Sequence, residues 1–207
     1  MVLKKTNMLG VAYKGYTKKS YQLKNGWDVL MLVNDVAILF KNGEERITAG
    51  MVKKIIETED GKFMIVKKDK TKAVFNSEGM MLADYDVHSN LLRNGWFTCL
   101  DGNEVTLFDE KEQVICSKVT KAEVFADGRY FISVLSGGDA TNVGFFEADG
   151  SRIHFTNDKF FKRLMHFFIA DGSLYDLTGE CLIEANQGNN FNRNLVRCIG
   201  ALPFWKH

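Results

Sequence analysis

Four histidines are the first residues to consider for catalytic or metal chemistry in this 207-residue chain. His88 follows Asp84 and Asp86 in the segment DYDVHSN, so an imidazole and two carboxylates stand close together along the chain. Such a group could bind a metal or act as a base, but its spacing matches no known ligand pattern, and a polar loop is the simpler interpretation. His154 and His166 lie among aromatic residues and are expected to be packed or half-exposed strand residues.

No other motif in the chain points to catalysis. The sequence has no G-x-S-x-G, no phosphate-binding loop and no H-E-x-x-H. Its four cysteines form no C-x-x-C pair, and we expect them to be small buried hydrophobic residues. The sequence therefore predicts no catalytic residue, no metal site and no cofactor, and it favours a non-enzymatic function.

Lysines and tyrosines are interleaved in the N-terminal segment, although the whole chain carries a net charge of only +1. Six lysines precede the first acidic residue, Asp28, and the segment KKDKTK at residues 67–72 adds four more. This composition suits binding to a phosphate backbone and to stacked bases, with Lys14, Lys18 and Lys19 as the candidate residues. The alternative is that the lysines protect an exposed sheet edge from aggregation.

Two tryptophans share a position that could form a binding surface. Trp27 and Trp96 each directly follow the glycine of an Asn-Gly turn, and Lys62 and Arg129 hold the same position in neighbouring repeats. Because lysine and arginine are accepted there, we expect this position to be partly exposed. Exposed aromatic side chains suit a protein or glycan partner, and the alternative is that the tryptophans pack in the core of the blades. The candidate contacts are Trp27, Trp96 and Arg129.

Equivalent positions recur because the chain is built from internal repeats. The glycine that opens each unit recurs after 35, 34 and 33 residues, at Gly26, Gly61, Gly95 and Gly128. A second turn position recurs with nearly the same period, at Gly43, Gly79, Glu112, Gly150 and Gly179. Two independent landmarks with one period predict a repeat protein with units of about 34 residues.

Each unit has the pattern of a β-hairpin followed by a further strand. An Asn-Gly or Asp-Gly turn leads into an apolar strand, and a returning strand after a polar tip ends at the second turn. One hairpin cannot bury its own apolar face, whereas stacked units build a continuous core. The sequence therefore predicts an all-β repeat fold. Its architecture is either a small β-propeller with three strands or four short strands per blade, or a curved, open or solenoidal sheet.

A single repeat domain is expected over residues 1–207. A partial sixth unit at residues 187–207 is available for pairing with residues 1–20, which would leave no exposed sheet edge. The absence of a long apolar run and of a signal peptide predicts a cytoplasmic protein. The five full units are expected at residues 21–53, 54–88, 89–121, 122–157 and 158–186.

The segment VGFFEADGSRI at residues 143–153 resembles the bacterial WG (also called KWG) repeats. The matching residues are Gly144, Phe145, Phe146, Gly150 and Ile153, and FADG at residues 125–128 matches the lead-in to the next strand. The resemblance extends over about residues 21–185, although the Trp-Gly pair and the proline of the family are missing. It implies a bacterial or phage protein with a propeller-like or open β-repeat fold, and it supplies no catalytic motif.

Three binding functions are compatible with these features. The repeat architecture and the tryptophan position favour a protein-interaction module whose partner the sequence does not identify. Nucleic-acid binding through the N-terminal lysines and tyrosines is the second hypothesis. Lectin-like glycan binding is the third.

Overall fold

The computed structural model describes residues 16–136, 140–156, 161–163, 166–170 and 172–184. These residues form five four-stranded antiparallel sheets, each a meander whose strands pair in chain order. Such a meander is the blade unit of β-propellers. The prediction of an all-β, propeller-like repeat fold is confirmed, with four short strands in each sheet. No helix within the described ranges has the length and apolar character that a membrane span requires.

The strands of the five sheets have the following bounds. The first sheet contains β1 (Thr17–Gln22), β2 (Asp28–Leu32), β3 (Ala37–Lys41) and β4 (Glu44–Ala49). The second contains β5 (Val52–Glu57), β6 (Phe63–Lys67), β7 (Lys72–Phe75) and β8 (Met81–Asp86). The third contains β9 (Asn90–Leu91), β10 (Phe97–Asp101), β11 (Glu104–Phe108) and β12 (Val114–Cys116). The fourth contains β13 (Val119–Val124), β14 (Tyr130–Ser136), β15 (Ala140–Phe146) and β16 (Arg152–Thr156). The fifth contains β17 (Phe161–Arg163), β18 (Phe167–Ala170), β19 (Ser173–Asp176) and β20 (Cys181–Ile183).

The chain divides into two compact units. Unit 1 ends at Lys118 and holds the first three sheets, whereas unit 2 begins at Val119 and holds the fourth and fifth. Within unit 1, β1 begins ahead of residue 21, where the first repeat was expected, and it pairs with β2. The expected pairing of the N-terminal segment with residues 187–207 lies outside the described residues.

The central strands of the first two sheets are buried on both faces. In β2, Val29 belongs to a core that the first and second sheets share, while Leu30 belongs to a separate apolar cluster on the opposite face. In β6, Ile65 joins the core shared with the first sheet, and Met64 joins a core shared with the third. Successive residues of a strand point to opposite faces, so one apolar strand can serve two cores. Consecutive sheets of unit 1 are joined in this way.

The turns between strands require a left-handed residue, which is usually glycine. In the turn before β2, the Leu23 N–H donates to the Trp27 carbonyl and the Gly26 N–H donates back to Leu23, while Gly26 has a φ of 86°. This pattern is a type I turn followed by a left-handed residue. In the third sheet, Glu112 donates in the same way to Asp109 and has a φ of 66°. Glu112 therefore takes the glycine conformation of the equivalent turns.

Replacing Glu112 by glycine is expected to raise the free energy of unfolding by about 0.5 to 1 kcal/mol. The left-handed conformation costs an L-residue roughly 1 to 2 kcal/mol, and the greater freedom of glycine in the unfolded chain cancels part of that gain. Urea unfolding followed by circular dichroism measures the change. Glu112→Ala retains a Cβ and is expected to give no gain, so an equal gain from both variants would contradict the explanation.

The described cysteines are free thiols, but they are not uniformly buried. Cys99 and Cys116 are half-buried, and burial raises the pKa of both thiols. Cys181 is exposed, so the expectation of burial is wrong for this residue. It lies on β20, the last strand of its sheet, where all three side chains are exposed. Cys198 lies outside the described residues.

Candidate functional site

Trp27 is fully buried, so the expectation that its indole is partly exposed is wrong. The residue is 0% exposed and packs beside Phe63 in the core that the first and second sheets share. Its indole N–H donates a 2.8 Å hydrogen bond to the backbone carbonyl of Ser77, which lies between β7 and β8 of the next sheet. A buried indole N–H needs such an acceptor. Trp27 therefore joins two sheets and presents no surface to a partner.

Lys62 shows why lysine can replace tryptophan at this position. Its ammonium group donates a 2.7 Å hydrogen bond to the backbone carbonyl of Glu110, between β11 and β12 of the following sheet. Ser77 and Glu110 hold equivalent turn positions in consecutive sheets. Lys62 is itself only 6% exposed. Both side chains are long and end in an N–H donor. Neither is exposed to solvent.

Asp60 neutralises the buried ammonium group of Lys62 through an ion pair. Burial raises the pKa of Asp60, but hydrogen bonds from Lys62 and Thr58 outweigh it, so the pKa lies below its ordinary value. The Asp60 carboxylate also fills the space beside Gly95, where an added Cβ would overlap it. These residues stabilise the junction between the second and third sheets.

Trp96 and Arg129 occupy the same repeat position, but each donates a hydrogen bond to a carboxylate of its own sheet. The indole N–H of Trp96, which is half-buried, donates to the Glu110 carboxylate at 2.9 Å. The Nε–H of Arg129 donates to the Glu147 carboxylate at 2.9 Å, and this hydrogen bond raises the pKa of the guanidinium group. Both carboxylates belong to second turns. A role for Trp96 or Arg129 in contacting a partner stays a prediction.

Lys18 and Lys19 line a cleft of about 430 Å³ that residues of the first and second sheets form. We call this site the lysine cleft. Its charged lining consists of Lys18, Lys19, Lys53, Lys68 and Asp35. Four ammonium groups and one carboxylate give the cleft a positive charge at neutral pH. Lys14, the third lysine of the N-terminal prediction, lies outside the described residues.

Asp35 links the two sheets at the cleft. Its carboxylate accepts a 3.4 Å contact from the Lys18 ammonium group in β1 and a shorter one from Lys68, between β6 and β7. The hydrogen bond from Lys68 lowers the pKa of Asp35, desolvation opposes this effect, and the hydrogen bond from Lys18 adds to the lowering. A lowered pKa means that this pairing stabilises the fold at neutral pH and is lost only as the pH falls through the depressed pKa.

Backbone hydrogen bonds hold the walls of the lysine cleft together. The Val52 N–H donates to the carbonyl of Asp35 at 2.7 Å, which ties the start of β5 to the β2–β3 turn. The Lys68 N–H donates to the carbonyl of Met51 at 2.8 Å, which ties the β6–β7 turn to the start of the same strand. The cleft lysines therefore extend from backbone that both sheets fix in position.

The cleft is suited to reversible anion binding. Ammonium groups bind carboxylates and phosphates as compact point charges with three donors each. The side chains of Lys18 and Lys68 are 59% and 54% exposed, so they can contact a ligand while they remain near Asp35. The charged lining therefore offers electrostatic attraction to an anion.

Lys53 and Lys68 were not among the residues predicted for binding. Lys18 and Lys53 are each the second residue of the first strand in their sheets. Aligning the first strands of the repeats, and not only their turn glycines, would have identified Lys53 as the equivalent of Lys18. Lys68 belongs to the KKDKTK segment, whose lysines the sequence analysis noted without connecting them to β1.

Asp84 and Asp86 lie in β8, and His88 lies in the bend that follows this strand. The backbone N–H of His88 donates to the Asp86 carboxylate at 2.7 Å, and the Ser89 hydroxyl donates to the Asp84 carbonyl at 2.8 Å. Aspartate commonly bonds the backbone two residues ahead in this way. In the part of the chain that the structure describes, no group of three His, Cys, Asp or Glu residues is placed to hold a metal ion.

Comparison with known proteins does not assign the chain to a family. No family model matches the chain, and no curated protein matches it in sequence. The resemblance to WG repeats therefore stays a prediction.

Among solved structures, the chain is similar to the C-terminal WD40 domain of Sif2, with 10% identity and a TM-score of 0.31 over 75% of this chain and 51% of that one. The WD40 β-propeller domain of Doa1 gives 14% identity and a TM-score of 0.30 over 74% and 58% of the two chains. A protein of unknown function from Bacteroides caccae gives 16% identity and a TM-score of 0.26 over 80% and 72%. The chain thus spans between half and three fifths of the length of each WD40 chain. The fold assignment rests on the strand order of its own sheets.

Proposed function

We propose that this protein is a non-enzymatic interaction module that binds an acidic segment of a partner protein in the lysine cleft. The observation that carries the proposal is that four lysines from two sheets line one cleft, and that two of them, Lys18 and Lys68, pair with Asp35. Complementary charge steers such a segment to the cleft and sets its preferred orientation. Carboxylate side chains of the partner would then pair with the exposed ammonium groups.

The size and charge of the site favour a protein segment over a nucleic acid. The cleft volume of about 430 Å³ is that of a compact ligand pocket. Proteins that bind nucleic acids usually carry a strongly basic face and a clear excess of positive charge. This chain has a net charge of only +1. A short acidic segment therefore matches the lysine cleft better than an extended phosphate backbone does.

Reversing the charge of Lys18 and Lys53 together is expected to weaken binding of an acidic peptide about ten- to thirtyfold. Each reversal replaces an attraction with a repulsion of up to roughly 1 kcal/mol at a site near the surface, so the two together weaken binding by about 1.4 to 2 kcal/mol. The probe is a fluorescein-labelled, glutamate-rich peptide, and fluorescence anisotropy at low salt measures its affinity for the wild type and for the Lys18→Glu/Lys53→Glu variant.

Lys111→Glu is the matched control, because Lys111 is an exposed lysine of the third sheet that does not line the cleft. It should change the affinity by less than about twofold. An unchanged affinity in the double variant would contradict the proposal. A labelled single-stranded oligonucleotide is measured in parallel. If it binds more tightly than the peptide and depends on the same two lysines, the site binds nucleic acid and the proposed protein partner is wrong.

A further inference from the structure

We infer that the partner segment carries apolar side chains between its acidic residues, and that Tyr16, Val33 and Met51 bind them at the rim of the lysine cleft. This inference rests on the proposed function and specifies which class of acidic segment the site selects. The three residues are 66%, 58% and 55% exposed, respectively. Single exposed apolar residues are ordinary, but a group of them beside a charged cleft is typical of an interaction site.

One of the three apolar residues lines the cleft, and the other two are hydrogen-bonded to lining residues. Val33 lines the cleft directly. The carbonyl of Tyr16 accepts a 2.8 Å hydrogen bond from the Val33 N–H. The carbonyl of Met51 accepts a 2.8 Å hydrogen bond from the N–H of Lys68, whose ammonium group is part of the charged lining. Apolar and basic side chains therefore emerge from the same hydrogen-bonded segments.

The arrangement occurs once in each of the two sheets that form the cleft. Tyr16 stands two residues before Lys18, and Met51 stands two residues before Lys53. Tyr16 directly precedes β1 and Met51 directly precedes β5, so the two pairs hold equivalent positions. Each sheet thus contributes one exposed apolar residue and one exposed lysine at the same spacing. An extended segment that alternates acidic and apolar side chains could contact both pairs.

The backbone conformation at Met51 is a second, independent indication that its side chain does not stabilise the fold. Met51 has a φ of 58°, a left-handed conformation that bulky residues rarely adopt. Lys118, which directly precedes β13, has nearly the same φ of 60°. The conformation therefore recurs at the start of the fourth sheet with a different side chain, so it does not depend on methionine. An exposed methionine held in an unfavourable conformation is better explained as a contact, because its flexible thioether adapts to varied apolar surfaces.

The test compares two labelled peptides of equal length and equal charge. In one peptide, serines separate the glutamates, and in the other, leucines replace the serines. The wild-type protein is expected to bind the leucine peptide about tenfold more tightly, because apolar side chains are buried at the rim. Met51→Gly should weaken binding of the leucine peptide about three- to tenfold and leave the serine peptide unchanged. Val33→Ser should act in the same direction.

Met51→Gly is informative because the same substitution should raise the midpoint of thermal unfolding, since glycine adopts a positive φ without a steric penalty. A more stable protein that binds less tightly cannot be attributed to misfolding. Met80→Ser is the control, since Met80 is 58% exposed and does not line the cleft, and it should affect neither peptide. If both peptides bind equally and Met51→Gly changes neither, the proposed function stands and this inference is wrong. If neither peptide binds the wild type, both are wrong.

Discussion

Gly79→Ala is expected to lower the free energy of unfolding by about 2 to 4 kcal/mol. An added Cβ at Gly79 would lie 2.5 Å from two ring atoms of the buried Trp27 indole. The ring is held in place by its hydrogen bond to Ser77, two residues before Gly79. Gly79 also has a φ of 85°. The left-handed conformation costs alanine a net of about 0.5 to 1 kcal/mol once the freedom of glycine in the unfolded chain is subtracted, and overpacking of a core adds about 1 to 3 kcal/mol.

Gly43→Ala separates the steric clash from the backbone strain. Gly43 has a φ of 82°, but no neighbouring heavy atom lies within 4 Å of an added Cβ. This variant should therefore lose only about 0.5 to 1 kcal/mol, which is the net cost of the left-handed conformation found for Glu112. Urea unfolding of both variants gives the comparison directly. Equal losses at the two positions would mean that Trp27 does not occupy the space beside Gly79, and the described junction between the first and second sheets would be incorrect.

Trp27→Ala is the second large effect, with an expected loss of about 3 to 5 kcal/mol. The substitution removes a fully buried aromatic side chain from the core that the first two sheets share, and it leaves a cavity. It also leaves the backbone carbonyl of Ser77 without its indole donor. The loss should be smaller for Trp27→Phe, which retains most of the apolar volume but cannot donate the hydrogen bond.

Trp96→Ala is the matched comparison, because Trp96 occupies the same repeat position but is only half-buried and donates to a side-chain carboxylate. We expect a loss of about 1 to 2 kcal/mol, in proportion to the smaller buried area. Circular dichroism is the appropriate signal, since it does not depend on the indole that each variant removes. If Trp96→Ala were as destabilising as Trp27→Ala, the two indoles would have the same structural role, contrary to the contacts described here.

The repeat and the turn positions could be predicted because both are set by local chemistry. A left-handed turn residue restricts the sequence directly, so glycines recur at a fixed period, and Glu112 could be aligned to the same position. The first strand of each sheet was harder to predict. In the second sheet this strand is Val52–Glu57, VKKIIE, with two adjacent exposed lysines and no regular alternation of buried and exposed side chains. Its place in the sheet comes from pairing with β6.

The role of the tryptophan position could not be predicted, because its partners lie on another sheet. The sequence identifies Trp27 and Lys62 as equivalent, and their common feature was interpreted as tolerance of solvent. The structure shows instead that both side chains donate to a carbonyl in the second turn of the following sheet. Tryptophan and lysine differ in charge and shape, so only the position of the acceptor reveals what they share.

The lysine cleft depends on how two sheets pack, which explains why only part of it was predicted. The sequence analysis selected Lys18 and Lys19 from the excess of positive charge in the N-terminal segment. Asp35 was not selected, because a single acidic residue in a turn carries no signal of its own. Its contacts with Lys18 and Lys68 span 17 and 33 residues of chain and arise only when the first and second sheets are adjacent.

The most direct test of the lysine cleft is to measure the reactivity of each lysine toward an amine-acylating reagent, with and without poly-L-glutamate, by mass spectrometry of the digested protein. The cleft predicts that Lys18, Lys19, Lys53 and Lys68 become protected together when the acidic polymer is present, while Lys111 remains as reactive as before. Protection that is equal at all lysines, or absent from these four, would contradict a binding site in the cleft.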